Sequence, residues 1–66
     1  MSMKWTDVQE IAIQLHEQMP DFDPRVVNFV KLRNQVMLLK DFDDVPERGG
    51  EKVLEAIVSA WIEELD

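Results

Sequence analysis

EKVLEAIVSAWIEEL, residues 51–65, is the stretch on which the fold turns. Val53, Leu54, Ile57, Val58, Ala60, Trp61 and Leu65 recur at helical spacing and cover more than half of a helix circumference, leaving Lys52, Glu55, Ser59 and Glu63 as a polar strip. A helix apolar over so wide an arc has to be enclosed by neighbours, so this segment predicts the central element of a helical core. Just upstream, the pair Gly49-Gly50 predicts a flexible joint.

Working outward, the other segments supply the neighbours. Val8, Ile11, Ala12, Leu15 and Met19 form one narrow apolar stripe that predicts a first helix ending before Pro20, with Glu10, Gln14 and Glu17 opposite it and Ile13 stranded among them. Its start matches a Thr6-x-x-Gln9 capping box, with Asp7 in the first turn, or alternatively Asp7-x-x-Glu10. In PDFDP, residues 20–24, Asp23 followed by Pro24 predicts an N-cap with proline at the first helical position and a short turn reaching about Asn28. Phe29, Leu32, Val36 and Leu39 then mark a further helix near 30–40, with Met37 and Leu38 as apolar bulk outside its stripe. No strand-like alternation bounded by turns is present. The expectation is one all-α domain spanning 1–66, with three main helices plus one short helical turn.

Composition narrows the function. A chain of 66 residues buries only about 60% of its unfolded surface, so a deep catalytic cavity would compete with the core for the same few side chains. The absence of cysteine excludes disulfides, a persulfide relay, and thiolate ligation of a metal or cluster by this chain alone. No apolar run approaches the roughly 20 residues of a membrane span, and MSMKWTD lacks the apolar stretch of a signal peptide. The expected location is cytoplasmic.

The formal charge of −7 comes from 14 acids and 7 bases, and it steers the chain toward basic partners rather than phosphate backbones. That charge is segregated. Residues 1–24 carry one base and five acids, residues 25–40 carry Arg25, Lys31, Arg33 and Lys40 with no acid, and residues 41–66 carry two bases and nine acids.

Three constellations are open to a chemical reading. His16 is the only histidine, and Thr6, Ser2 and Ser59 are the only hydroxyls, of which Thr6 is claimed by capping; no nucleophile-and-base pair emerges, and an enzyme is not expected. The stretch DFDDVP, residues 41–46, is a solvated loop, an iron site or a docking face. Asp41, Asp43, Asp44 and Glu47 offer several hard oxygen ligands within a short span, but Val45 and Pro46 break the calcium-loop pattern. In the bland reading these acids cap and solvate the approach to the last helix. Finally, a basic helix after a helix and a turn has the order of a helix-turn-helix or winged-helix nucleic-acid reader using residues 25–40, opposed by the acidic C-terminal block.

Taken together, KWTD at 4–7, EI at 10–11, PDFDP, DFDD with Pro46, and EK.LEAI at 51–57 with Trp61 resemble, in order and spacing over the whole chain, the IscX (YfhJ) family of acidic accessory proteins of bacterial iron-sulfur cluster assembly. The resemblance implies a winged helix reduced to helices. It also implies a non-catalytic adaptor and regulator that docks through an acidic surface on a basic patch of the cysteine desulfurase IscS, in the region used by frataxin and ferredoxin. Iron would be bound weakly through carboxylates, and no cofactor would be held tightly. On these positions Glu10, Asp41, Asp43, Asp44 and Glu47 are the expected partner face, Asp43, Asp44 and Glu47 the expected weak metal ligands, and Trp5 and Trp61 core. Two departures stand out: Val45 removes a carboxylate from the family's FDDDP, and Val30 and Lys31 replace a Thr-Asp pair, removing a helix cap and reversing a charge.

Overall fold

A computed structural model describes residues 2–65. Its three α-helices are α1 (Val8–Gln18), α2 (Phe29–Met37) and α3 (Glu51–Glu64), joined by short 3-10 turns at Pro24–Val26 and Pro46–Arg48. The all-α expectation therefore holds among the described residues, where the only strand-like feature is one parallel bridge between Met3 and Phe42.

Each helix starts by its own device. Asp7 occupies the N-cap position of α1, but its side chain does not cap the helix. Instead its carboxylate accepts the Lys4 N–H at 2.8 Å, and its own N–H donates to the Lys4 carbonyl at 2.9 Å, closing a turn ahead of the helix. The Thr6 capping box predicted from sequence does not form, because the carboxylate one residue later finds a donor on its upstream side. At the other end, the Met19 N–H reaches the Leu15 carbonyl at 2.9 Å before Pro20 stops the helix. Asp23 caps the first 3-10 turn as expected, accepting the Arg25 N–H at 3.0 Å. That turn ends at Val26, short of the Asn28 expected, because Asn28 is extended and serves α2. The Asn28 carboxamide oxygen accepts the N–H groups of Val30 at 2.7 Å and Lys31 at 3.4 Å. So Val30 and Lys31 do not leave α2 uncapped.

The core is built where these faces meet. Ile11, Ala12 and Leu15 of α1, Leu32 and Val36 of α2, and Leu54, Ile57 and Trp61 of α3 are enclosed, and Leu39 joins them just past the end of α2. α3 is the central element, packing most extensively on α1. Gln9 Nε2 adds a polar tie, donating to Glu64 Oε2 at 3.2 Å. Ile13, expected among the polar residues opposite the α1 stripe, is half-buried, as is His16.

Both tryptophans are core, as expected, and they close opposite parts of the sequence. Trp61 stacks with Phe22, ring centroids 5.6 Å apart. Trp5 meets Phe42 edge-on at 4.8 Å, and its indole N–H donates to the Val45 carbonyl at 2.6 Å. The third wall around Trp5 is Gly49, which is buried. A β-carbon at Gly49 would lie 2.5 Å from Cζ2 of Trp5 and 2.8 Å from Cε2 and Cη2. Gly49 is thus a close-approach position and not the flexible joint expected. Gly50, with open space around it, is the N-cap of α3.

Candidate docking surface

The segment after α2 is held to the N-terminal residues by a backbone clip. The Met3 N–H donates to the Asp41 carbonyl at 2.7 Å, and the Asp43 N–H donates back to the Met3 carbonyl at 2.9 Å. Because side chains alternate along such an extended pair, Phe42 turns toward Trp5 while Asp41 and Asp43 are exposed. The clip carries Asp41 to the start of α1. There Asp7, Glu10 and Asp41 surround one open depression of about 490 Å³, floored in part by Met3 and Gln14.

The expected site residues therefore divide. Glu10 and Asp41 are brought together from opposite halves of the chain. Asp43 stays exposed beside them but is engaged by Lys4, whose ammonium contacts both its carbonyl and its carboxylate, the latter at 3.4 Å. Asp44 faces the other way: its two oxygens accept the Val45 N–H at 2.8 Å and the Trp5 N–H at 3.2 Å. These hydrogen bonds, that of Val45 foremost, hold the Asp44 carboxyl below the usual carboxylate range. Glu47 is exposed on the 3-10 turn before α3, where it accompanies the first turn's positive end. Asp7, expected mainly as a cap, joins the depression; its spacing with Glu10 and Gln14 places the three on one helix face, a signal that was available in the sequence.

The donor set does not suit a metal. Asp44 is committed to backbone N–H groups and Asp43 to Lys4, and among the described residues no three His, Asp or Glu side chains gather where they could hold an ion. Elsewhere, Asp23 is gripped by Arg25, whose side-chain hydrogen bonds, with Nε at 2.9 Å, pull its carboxyl below the usual range. That leaves the basic middle segment with less free charge than its composition implies: Arg25 is ion-paired and Arg33 is half-buried. No helix among the described residues is long and apolar enough to cross a membrane.

The described residues form an acidic three-helix domain with an exposed carboxylate depression, and the family it matches is one of small accessory domains. The chain belongs to the IscX/YfhJ family: its residues 3–66 match the family model described as iron-sulphur cluster assembly. It is also 67% identical over 66 residues to an uncharacterized protein of Pseudomonas aeruginosa, with both chains covered completely.

Proposed function

We propose that this protein is a non-catalytic, cytoplasmic adaptor and regulator of iron-sulfur cluster assembly that docks on the cysteine desulfurase IscS through the depression formed by Asp7, Glu10 and Asp41, with Asp43 at its edge. The observation that carries this reading is the convergence of carboxylates from α1 and from the segment after α2 on one open surface. A rigid array of like charges is maintained only at a cost in mutual repulsion, which a basic partner relieves on docking. The family supplies the process, and the chain's lack of cysteine agrees with a role beside the sulfur chemistry rather than in it. The proposal assigns iron no fixed place on this chain, since the carboxylates of residues 41–47 do not converge. Nucleic-acid binding through residues 25–40 is disfavoured, because phosphate neutralisation requires several free cations on one face.

The test is calorimetric titration of the desulfurase with this protein at low and at physiological salt. Saturable binding that weakens as salt rises, and that is lost in Glu10→Lys/Asp41→Lys, supports the reading. Competition by frataxin or ferredoxin would place the site in their region. Binding that ignores both salt and the charge reversal would sink it.

A further inference from the structure

A second surface shares no lining residue with the acidic depression. Between the first 3-10 turn, α2 and α3 lies an apolar groove of about 190 Å³. Met19, Leu32 and Trp61 line it from the core, Phe22 and Val26 from the 3-10 side, and Lys31 from α2. Val26 is 73% exposed and Leu38 is 77% exposed, so apolar surface continues outside the groove. Leu38 stands seven residues after Lys31 and thus falls on the same face of α2. The fold has no use for this exposure: neither side chain belongs to the core.

Size and charge restrict what the groove takes. Ligand pockets for cofactors run from about 300 Å³ upward, so this one admits an anchoring side chain or two, not a nucleotide or haem. Lys31, on the rim, is exposed and has no ion-pair partner among the described residues. It lies in the one segment, 25–40, that carries bases and no acid. Charges within about 8–10 Å act together at ordinary salt, so a carboxylate next to an apolar anchor meets attraction here, although the chain as a whole is acidic. The floor contributes Trp61, whose indole N–H is buried without an acceptor among the described residues.

We infer that this groove is a second docking site, which takes a short segment of a partner protein made of one or two large apolar side chains flanked by acidic residues. The apolar side chain enters between Val26 and Leu32, and the flanking carboxylate pairs with Lys31. Such a site would let the protein hold two partners of opposite charge at once, the basic one at Asp7, Glu10 and Asp41 and the acidic one here.

The experiment is an NMR titration of the nitrogen-15-labelled full chain with a blocked hexapeptide alternating glutamate with leucine and phenylalanine. Two counterparts serve as controls, one with lysine for glutamate and one with serine for the apolar residues. The expected result is saturable shifts at Phe22, Val26, Lys31 and the Trp61 indole with the acidic peptide, much weaker with the basic one and absent with the serine one. Lys31→Glu should weaken binding about tenfold, and Val26→Asp should abolish it; both positions are exposed, and far-UV circular dichroism confirms that each variant folds. The inference is overturned by no shifts at millimolar peptide, by equal shifts with the basic peptide, or by shifts at Asp7 and Glu10 instead. Concentration-dependent shifts at Val26 and Lys31 without peptide would also overturn it, by making a second copy of the chain the occupant. None of these outcomes depends on binding to the desulfurase.

Discussion

Replacing Gly49 by alanine exchanges one hydrogen for a methyl group, and the structure makes that added carbon expensive. It would sit 2.5 to 2.8 Å from three ring atoms of Trp5, well inside the roughly 3.5–4.0 Å of a favourable carbon contact. The indole has nowhere to go: it is 1% exposed, tethered to the Val45 carbonyl and butted against Phe42. Overpacking of this kind costs about 1–3 kcal/mol, and reduced freedom of the unfolded chain returns about 0.4–1 kcal/mol. The net loss is about 1–2 kcal/mol, out of a total near 3–10 kcal/mol for a chain of this length, or a drop in Tm of about 4–16 °C. Urea unfolding followed by circular dichroism measures it. Gly50→Ala, with nothing near its β-carbon, is the control and should stay within about 1 kcal/mol of wild type. A double-mutant cycle sharpens the test: in a Trp5→Phe background, which removes the clashing part of the ring, Gly49→Ala should cost at least about 1 kcal/mol less. If Gly49→Ala is neutral, or if Gly50→Ala costs as much, the contact is not the reason for glycine at 49.

Other expectations follow from the same geometry. Asp44→Ala should destabilise the fold by freeing the Trp5 and Val45 N–H groups. Because the carboxyl of Asp44 titrates below its unfolded value near 3.8, its contribution is full above that pH and is lost as pH falls through the lower folded value. The gap between the variant and wild type should therefore shrink as pH falls below the usual carboxylate range in acid titrations followed by circular dichroism, and an undiminished gap would contradict the assignment. Asn28→Ala should cost about 1 kcal/mol by removing the α2 cap, with Asn28→Asp retaining most of it in chemical denaturation. Ile57→Ala, at a fully enclosed position of α3, should cost about 2–5 kcal/mol and leave little cooperative unfolding to observe.

Much of the architecture was legible because it rests on local chemistry. The wide apolar arc of α3, the stripe of α1 and the Asp23-Pro24 start all depend on residues close in sequence, and all three stand in the structure. The misreadings share a different cause. Gly49 looked like a joint because its partner, Trp5, is forty-odd positions away. Asp44, expected as a docking acid, also holds the N–H of that same distant residue, a structural role that its neighbours in sequence do not reveal. Thr6 is the exception, a local misreading: the Lys4 N–H, only three residues before Asp7, takes the Asp7 carboxylate, and the helix starts one residue later than the Thr6 capping box requires. For the candidate surface, Glu10 and Asp41 were identifiable as acids, whereas the depression they share arises only from the pairing of Met3 with Phe42.

That pairing also bears on how the chain is made. Ribosomes release the N-terminus first, yet Trp5 has no seat until Val45 and Gly49 have emerged, and α1 has no central neighbour until α3 follows. At about 5–20 residues per second, synthesis of these 66 residues lasts roughly 3–13 seconds, and the first tryptophan and the α1 stripe stay without their packing partners until its last part. Closure of the core waits on the last helix, so a nascent chain stalled before α3 should be a substrate for degradation.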